Sequence, residues 1–202
     1  MKSGVTKCIL AGVRGPDGAP EALIAQARAA QAVAAAARRY FDGPGEAAAA
    51  LARRARLAAK RARTAADAAL EIWPGKRGDW LAVSAALADL SDEAAWAVEE
   101  DERFQARLDL FGRRIAGALE QAAARLVDAL ENLRASGESL AEAKSKALQI
   151  EDIRRMARQN ALEQPRLAVE LSARAVLDRF SLAGEAVHRA ADAVAARVAE
   201  VS

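Results

Sequence analysis

The stretch KRGDWLAVSAALADLSDEAAWAVEE, Lys76 to Glu100, decides how the rest of this chain is read. Trp80, Val83, Leu87, Leu90, Ala94 and Ala97 recur at steps of three and four residues, the stripe that an α-helix turns towards its neighbours. Asp79 precedes the stripe and offers a capping oxygen, so the spacing predicts a helix from about Asp79 to Glu99. Asp89 and Asp92, three residues apart, fall on one face beside the stripe. Such a pair is either a set of oxygen ligands or a charged surface neutralised by arginine or lysine from a neighbouring helix.

A similar arrangement closes the chain. Phe180, Gly184, Val187, Ala191, Val194, Val198 and Val201 form a second stripe, with Glu185, His188 and Asp192 beside it. Between these segments, glycine and proline set the boundaries. After a flexible lead over residues 1–19, a first helix is expected from about Pro20 to Phe41, where DGPG stops it, and a second from Glu46 to Ile72, ended by Trp73-Pro74-Gly75. The acidic run EEDE, Glu99 to Glu102, is expected to break the chain after the third helix, because like charges crowded on a helix repel. A fourth helix then reaches about Arg134, Ser139 and Glu142 form a capping box opening a fifth, and Pro165 suits the first turn of a sixth that runs to about Val201. The expected architecture is all-α, a six-helix bundle of two pseudo-repeated three-helix halves, residues 20–100 and 101–202.

Composition agrees with a helical bundle. The 202 residues include 56 alanines, while aromatic residues make up only 4%, so helix propensity is high and the core must be built largely from small side chains. Thirty basic residues against 28 acidic ones leave a net charge of +2, no basis for nucleic-acid binding. Cys8 is the only cysteine, which excludes an internal disulfide and points to a reducing, cytoplasmic setting. No window has the 18 or so apolar residues of a transmembrane helix, and the apolar run Cys8–Val13 is too short for a secretory signal. One cysteine and one histidine in distant segments make no catalytic dyad, and no phosphate-binding glycine loop or zinc spacing is present, so an enzyme is not expected. Trp73, Trp80 and Trp96 are read as core packing around the third helix.

The turn into the third helix, Pro74-Gly75-Lys76-Arg77-Gly78-Asp79-Trp80, with the following Leu87-Ala88-Asp89-Leu90-Ser91-Asp92 and the closing Phe180–Asp192 segment, resembles the PhoU-like accessory proteins of phosphate transport. The likeness is to the branch often found beside Pit-type phosphate permeases, and it covers roughly residues 20–200. It implies two three-helix bundles related by an internal repeat. It also implies metal-binding acid-x-x-x-Asp pairs, since carboxylates at i and i+4 share a helix face and present hard oxygen ligands to one cation. Here the leading acids are replaced: Ala88 stands four before Asp92, Leu148 four before Asp152, and His188 four before Asp192, while Leu57 and Arg61 occupy a fourth equivalent. The remaining candidate metal ligands are Asp89, Asp92, Asp152, Glu185, His188 and Asp192, with the histidine set suited to a transition metal. The expected outcome is weak binding of divalent or trivalent cations.

The second helix adds a basic face. Arg53, Arg54, Arg56, Lys60, Arg61 and Arg63 cover about half its circumference, and Ala55, Ala58, Ala62, Ala65 and Ala66 are expected to pack inward. Such a face suits phosphate groups, anionic headgroups or an acidic protein. By resemblance, the expected function is accessory or regulatory, acting on a membrane phosphate permease or sensor kinase from the cytoplasm, with homodimerisation left open. The alternative is an alanine-rich helical coat protein of the phasin type, resting on composition and length.

Overall fold

The computed structural model describes residues 19–72, 77–106, 108–162 and 167–201. Among them there are six α-helices and no strand: α1 Glu21–Asp42, α2 Glu46–Glu71, α3 Arg77–Phe104, α4 Asp109–Glu131, α5 Ser136–Leu162 and α6 Leu167–Val201. Trp73, Pro74, Gly75, Pro165 and the lead up to residue 18 lie outside the described residues. The separation of α2 from α3 agrees with the sequence expectation.

Helix α3 is the hub. It packs most extensively on α6 and also on α1 and α2, while α1 lies against α2, α3 and α4, and α5 against α4 and α6. All six apolar positions anticipated in α3 are buried, and so are Phe180, Gly184, Val187, Ala191 and Val194 of α6. Alanine lines much of the remaining core, so backbones approach closely, and the few large groups are concentrated. Phe41 at the end of α1 sits 5.2 Å from Phe180 of α6 and edge-on to Tyr40 at 5.1 Å. Trp80 is buried and Trp96 half-buried.

Three boundaries differ from expectation, each for a physical reason. Helix α3 does not break at Glu99–Glu102 but continues to Phe104, because every acid of that run has an interaction that opposes repulsion. Glu99 meets Arg56, Glu100 meets Arg179, Glu102 meets Arg53 at 2.6 Å, and Asp101 accepts a 2.9 Å hydrogen bond from the buried Tyr40 hydroxyl. The turn falls instead at Gln105, whose φ of 50° places it in the left-handed region while its N–H donates to the Asp101 carbonyl. Helix α4 ends at Glu131, three residues early, and a 3₁₀ turn at Leu133–Ala135 leads straight into α5 at Ser136. Ser139 and Glu142 therefore lie inside α5 instead of capping it, and Glu142 pairs at 2.7 Å with Arg125 of α4. On α2 the buried alanines are Ala49, Ala52, Ala59 and Ala66, whereas Ala58 and Ala65 are exposed. The inward stripe is rotated so that it passes through Arg56.

Polar contacts fix the register of the first three helices. The buried Gln26 side-chain amide of α1 donates to the Ser84 carbonyl of α3 at 2.7 Å, and the Ser84 hydroxyl donates to Asp67 of α2 at 2.7 Å. Arg28–Glu131 and Arg38–Glu120, at 2.6 and 2.7 Å, tie α1 to α4 on the outside.

Two glycines of α4 separate packing from propensity. A Cβ on Gly112 would stand 2.7 Å from Cδ1 of Phe41, whereas a Cβ on Gly117 meets nothing within 4 Å. Gly112→Ala is expected to destabilise the fold by about 1–3 kcal/mol through overpacking, and Gly117→Ala to stabilise it by up to about 1 kcal/mol through helix propensity. Urea titrations of the two variants check both signs.

Candidate functional site

The acids of α3 form a dense charged constellation, and helix geometry orders four of them into two rows. Asp92 and Glu99, seven residues apart, lie two turns along one edge of α3, and Glu93 and Glu100 repeat that spacing one position round. Each row is spanned by one arginine. Arg56 of α2 donates from Nε to Asp92 at 2.7 Å and from a terminal nitrogen to Glu99 at 3.0 Å. Arg179 of α6 donates to Glu93 at 3.2 Å and to Glu100 at 3.3 Å. Trp96 sits between the acids of both rows in sequence, and both guanidinium groups lie over its ring, at 4.7 and 4.9 Å from the centroid. One indole and two arginines thus clamp α2, α3 and α6 together.

Arg56 occupies an inward position of α2, its side chain only 15% exposed, in contrast to the outward position assigned from sequence. The exposed cations of α2 are Arg53, Arg54, Lys60, Arg61 and Arg63. Arg56 turns inward because Asp92, Glu99 and Trp96 together accept its charge, its donors and its flat face, which a lysine cannot do with a single ammonium.

Asp89 and Asp92, adjacent on α3, are engaged by different helices. Arg189 of α6 reaches Asp89 at 2.9 Å, while Asp92 is held by Arg56, with Lys60 at 4.0 Å. On the outer faces of α5 and α6, Asp192 pairs with Lys144 of α5 at 2.5 Å, and the 69%-exposed Asp152 pairs with Arg155 on its own helix at 3.8 Å. Glu185 is exposed and His188 half-buried on α6. Among the described residues, no three His, Cys, Asp or Glu side chains gather to hold a metal ion. Four of the five carboxylates named from sequence as ligands, Asp89, Asp92, Asp152 and Asp192, each lie beside a cation. Sequence reasoning missed Glu93, Glu100, Arg179 and Trp96; the signal for them is the seven-residue spacing of two acidic pairs around one tryptophan.

Burial pushes the Glu93 carboxyl above its ordinary range, and repulsion from Asp89 and Asp92 adds to it, against the opposing pull of Arg179. The folded state therefore binds the Glu93 proton more tightly than the unfolded chain does. Its ionisation lowers stability as pH rises through the window from the unfolded to the folded pKa. Glu93→Gln is expected to raise the melting temperature at neutral pH, with the gain vanishing as pH falls below the unfolded carboxylate range; melting curves across pH check this. Arg56→Ala leaves two part-buried carboxylates without their arginine and is expected to cost about 2 kcal/mol. Arg56→Lys is expected to recover less than half of that loss, measured by chemical denaturation. No protein-family model matches the chain, and no curated protein matches it.

Proposed function

We propose that this chain is a non-enzymatic accessory or regulatory protein of inorganic phosphate transport, working by protein contact at the cytoplasmic face of a permease or sensor. One observation carries the reading beyond the sequence resemblance. Helices α1, α2 and α3 all pack on one another, and so do α4, α5 and α6. The two sets meet most through α1 with α4 and α3 with α6, first helix on first and third on third. That pattern supports two repeated three-helix halves, the organisation the PhoU-like resemblance implies. The fold is compatible with that function.

The surface offered to a partner in this reading is the outer face of α2. Arg54 and Arg61 have no carboxylate partner among the described residues, and Leu57, 58% exposed, stands among the cations. Charge there steers an acidic protein surface, and the leucine gives the contact an apolar anchor. A phasin-type coat requires a long continuous apolar face, whereas α2 breaks its exposed apolar residues with arginine. No described helix is long and apolar enough to cross a membrane, so in this reading the membrane is reached through the partner.

Deleting the gene in its own host is expected to change radiolabelled phosphate uptake and leave polyester granules unaltered. Arg54→Glu combined with Arg61→Glu is expected to reproduce the deletion while the purified variant melts normally. Unchanged uptake with altered granules would favour the coat protein instead.

A further inference from the structure

A second positive surface lies on the other side of the molecule, in the groove between α4 and α5. Its floor is made by Gly117 and Ala118, and its volume is about 400 Å³. Arg38, Arg113, Arg114 and Lys146 line it, with the amides of Gln121 and Gln149, and among the described residues no carboxylate lines it. Two of these cations are already engaged: Arg38 with Glu120 at 2.7 Å, and Arg113 with Asp42 at 2.6 Å. Arg114 and Lys146 have no carboxylate partner among the described residues, so the groove keeps a surplus of two positive charges.

Its shape follows from the sequence of α4. Leu110, Arg113, Arg114, Gly117, Ala118 and Gln121 recur on one helix face over about 16 Å, small residues in the middle and donors towards the ends. The Arg125–Glu142 pair sets the register of antiparallel α4 and α5, which brings Lys146 level with Gln121, about two turns from Arg114. The two unmatched cations are thus rooted about two turns apart along the groove, so an anion carrying several charges can engage both.

We propose that this groove binds a phosphate-type oxyanion carrying several charges, as a condensed phosphate or as the headgroup region of an anionic lipid. Arginine and lysine supply the charge, glutamine amides supply neutral donors, and the bare Gly117 backbone leaves room for the ligand. The site is separate from the outer face of α2 and holds whether or not the chain serves phosphate transport.

Calorimetry at low salt with inorganic triphosphate, pyrophosphate and orthophosphate, and sedimentation with phosphatidylglycerol vesicles, test the proposal. Saturable triphosphate binding is expected, stronger than orthophosphate binding and weakened by added salt. Arg114→Gln with Lys146→Gln is expected to reduce affinity about tenfold, the loss of roughly one charge-assisted contact. Gly117→Leu fills open space and improves helix propensity, so it is expected to block binding in a protein that melts no lower than wild type. Arg54→Gln with Arg61→Gln, on α2, is expected to leave binding intact. Groove-dependent binding of vesicles without triphosphate identifies the headgroup as the source and supports the same site. Binding to neither probe, or binding that survives both groove variants, overturns the proposal.

Discussion

Helix α3 carries seven acidic side chains between Asp89 and Glu102 and no basic one in that span. Each like-charged pair three or four residues apart disfavours an isolated helix by a few tenths of a kcal/mol, and the repulsions accumulate along the run. The helix persists because cations reach it from both flanks: Arg53, Arg56 and Lys60 from α2, Arg179 and Arg189 from α6. Its stability as a helix is therefore a tertiary property. Removing α2 or α6 exposes the same charges that the sequence alone reads as a break.

The alanine-rich interfaces make this electrostatic matching more consequential. A methyl side chain buries little apolar area, so an alanine seam gains from close backbone approach and dispersion more than from area removed from water. Large groups carry the discriminating contacts: Phe41 against Phe180 and Gly112 where α1, α4 and α6 meet, and the buried Trp80 in the first turn of α3. Smooth small-residue seams tolerate sliding, and the long-range polar contacts oppose it. Gln26 to Ser84, Ser84 to Asp67 and the two arginines over Trp96 each specify one register between a pair of helices.

Much of the fold was legible because its signals are local. Glycine and proline marked the ends of α1 and α2, and three-four spacing identified the buried stripes of α3 and α6. What could not be read locally was decided by partners distant in sequence. Glu99–Glu102 looks like a breaker until Arg56, Arg179, Arg53 and Tyr40 stand beside it. Arg56 looks like one more cation of a solvated face until Asp92, Glu99 and Trp96 turn it inward, 36 to 43 residues away along the chain. The candidate ligands divide in the same way: Asp89 and Asp92 share a face of one helix, as spacing requires, yet answer to different neighbours, which spacing does not encode.

The near-neutral total charge conceals how charge is distributed once the chain folds. The acids of α3 draw cations from α2 and α6 into interhelical pairs, so the part of the molecule with the most carboxylates is largely self-compensated. Among the described residues, the cations without a carboxylate partner include Arg54 and Arg61 on the exposed face of α2 and Arg114 and Lys146 in the groove of α4 and α5. Their shapes differ: the α2 face is an exposed helix surface bearing Leu57, whereas Arg114 and Lys146 line an open groove beside Gly117 and Ala118. A nearly balanced composition thus folds into a chain whose charge is locally uneven, because the carboxylates of α3 draw their cations from α2 and α6.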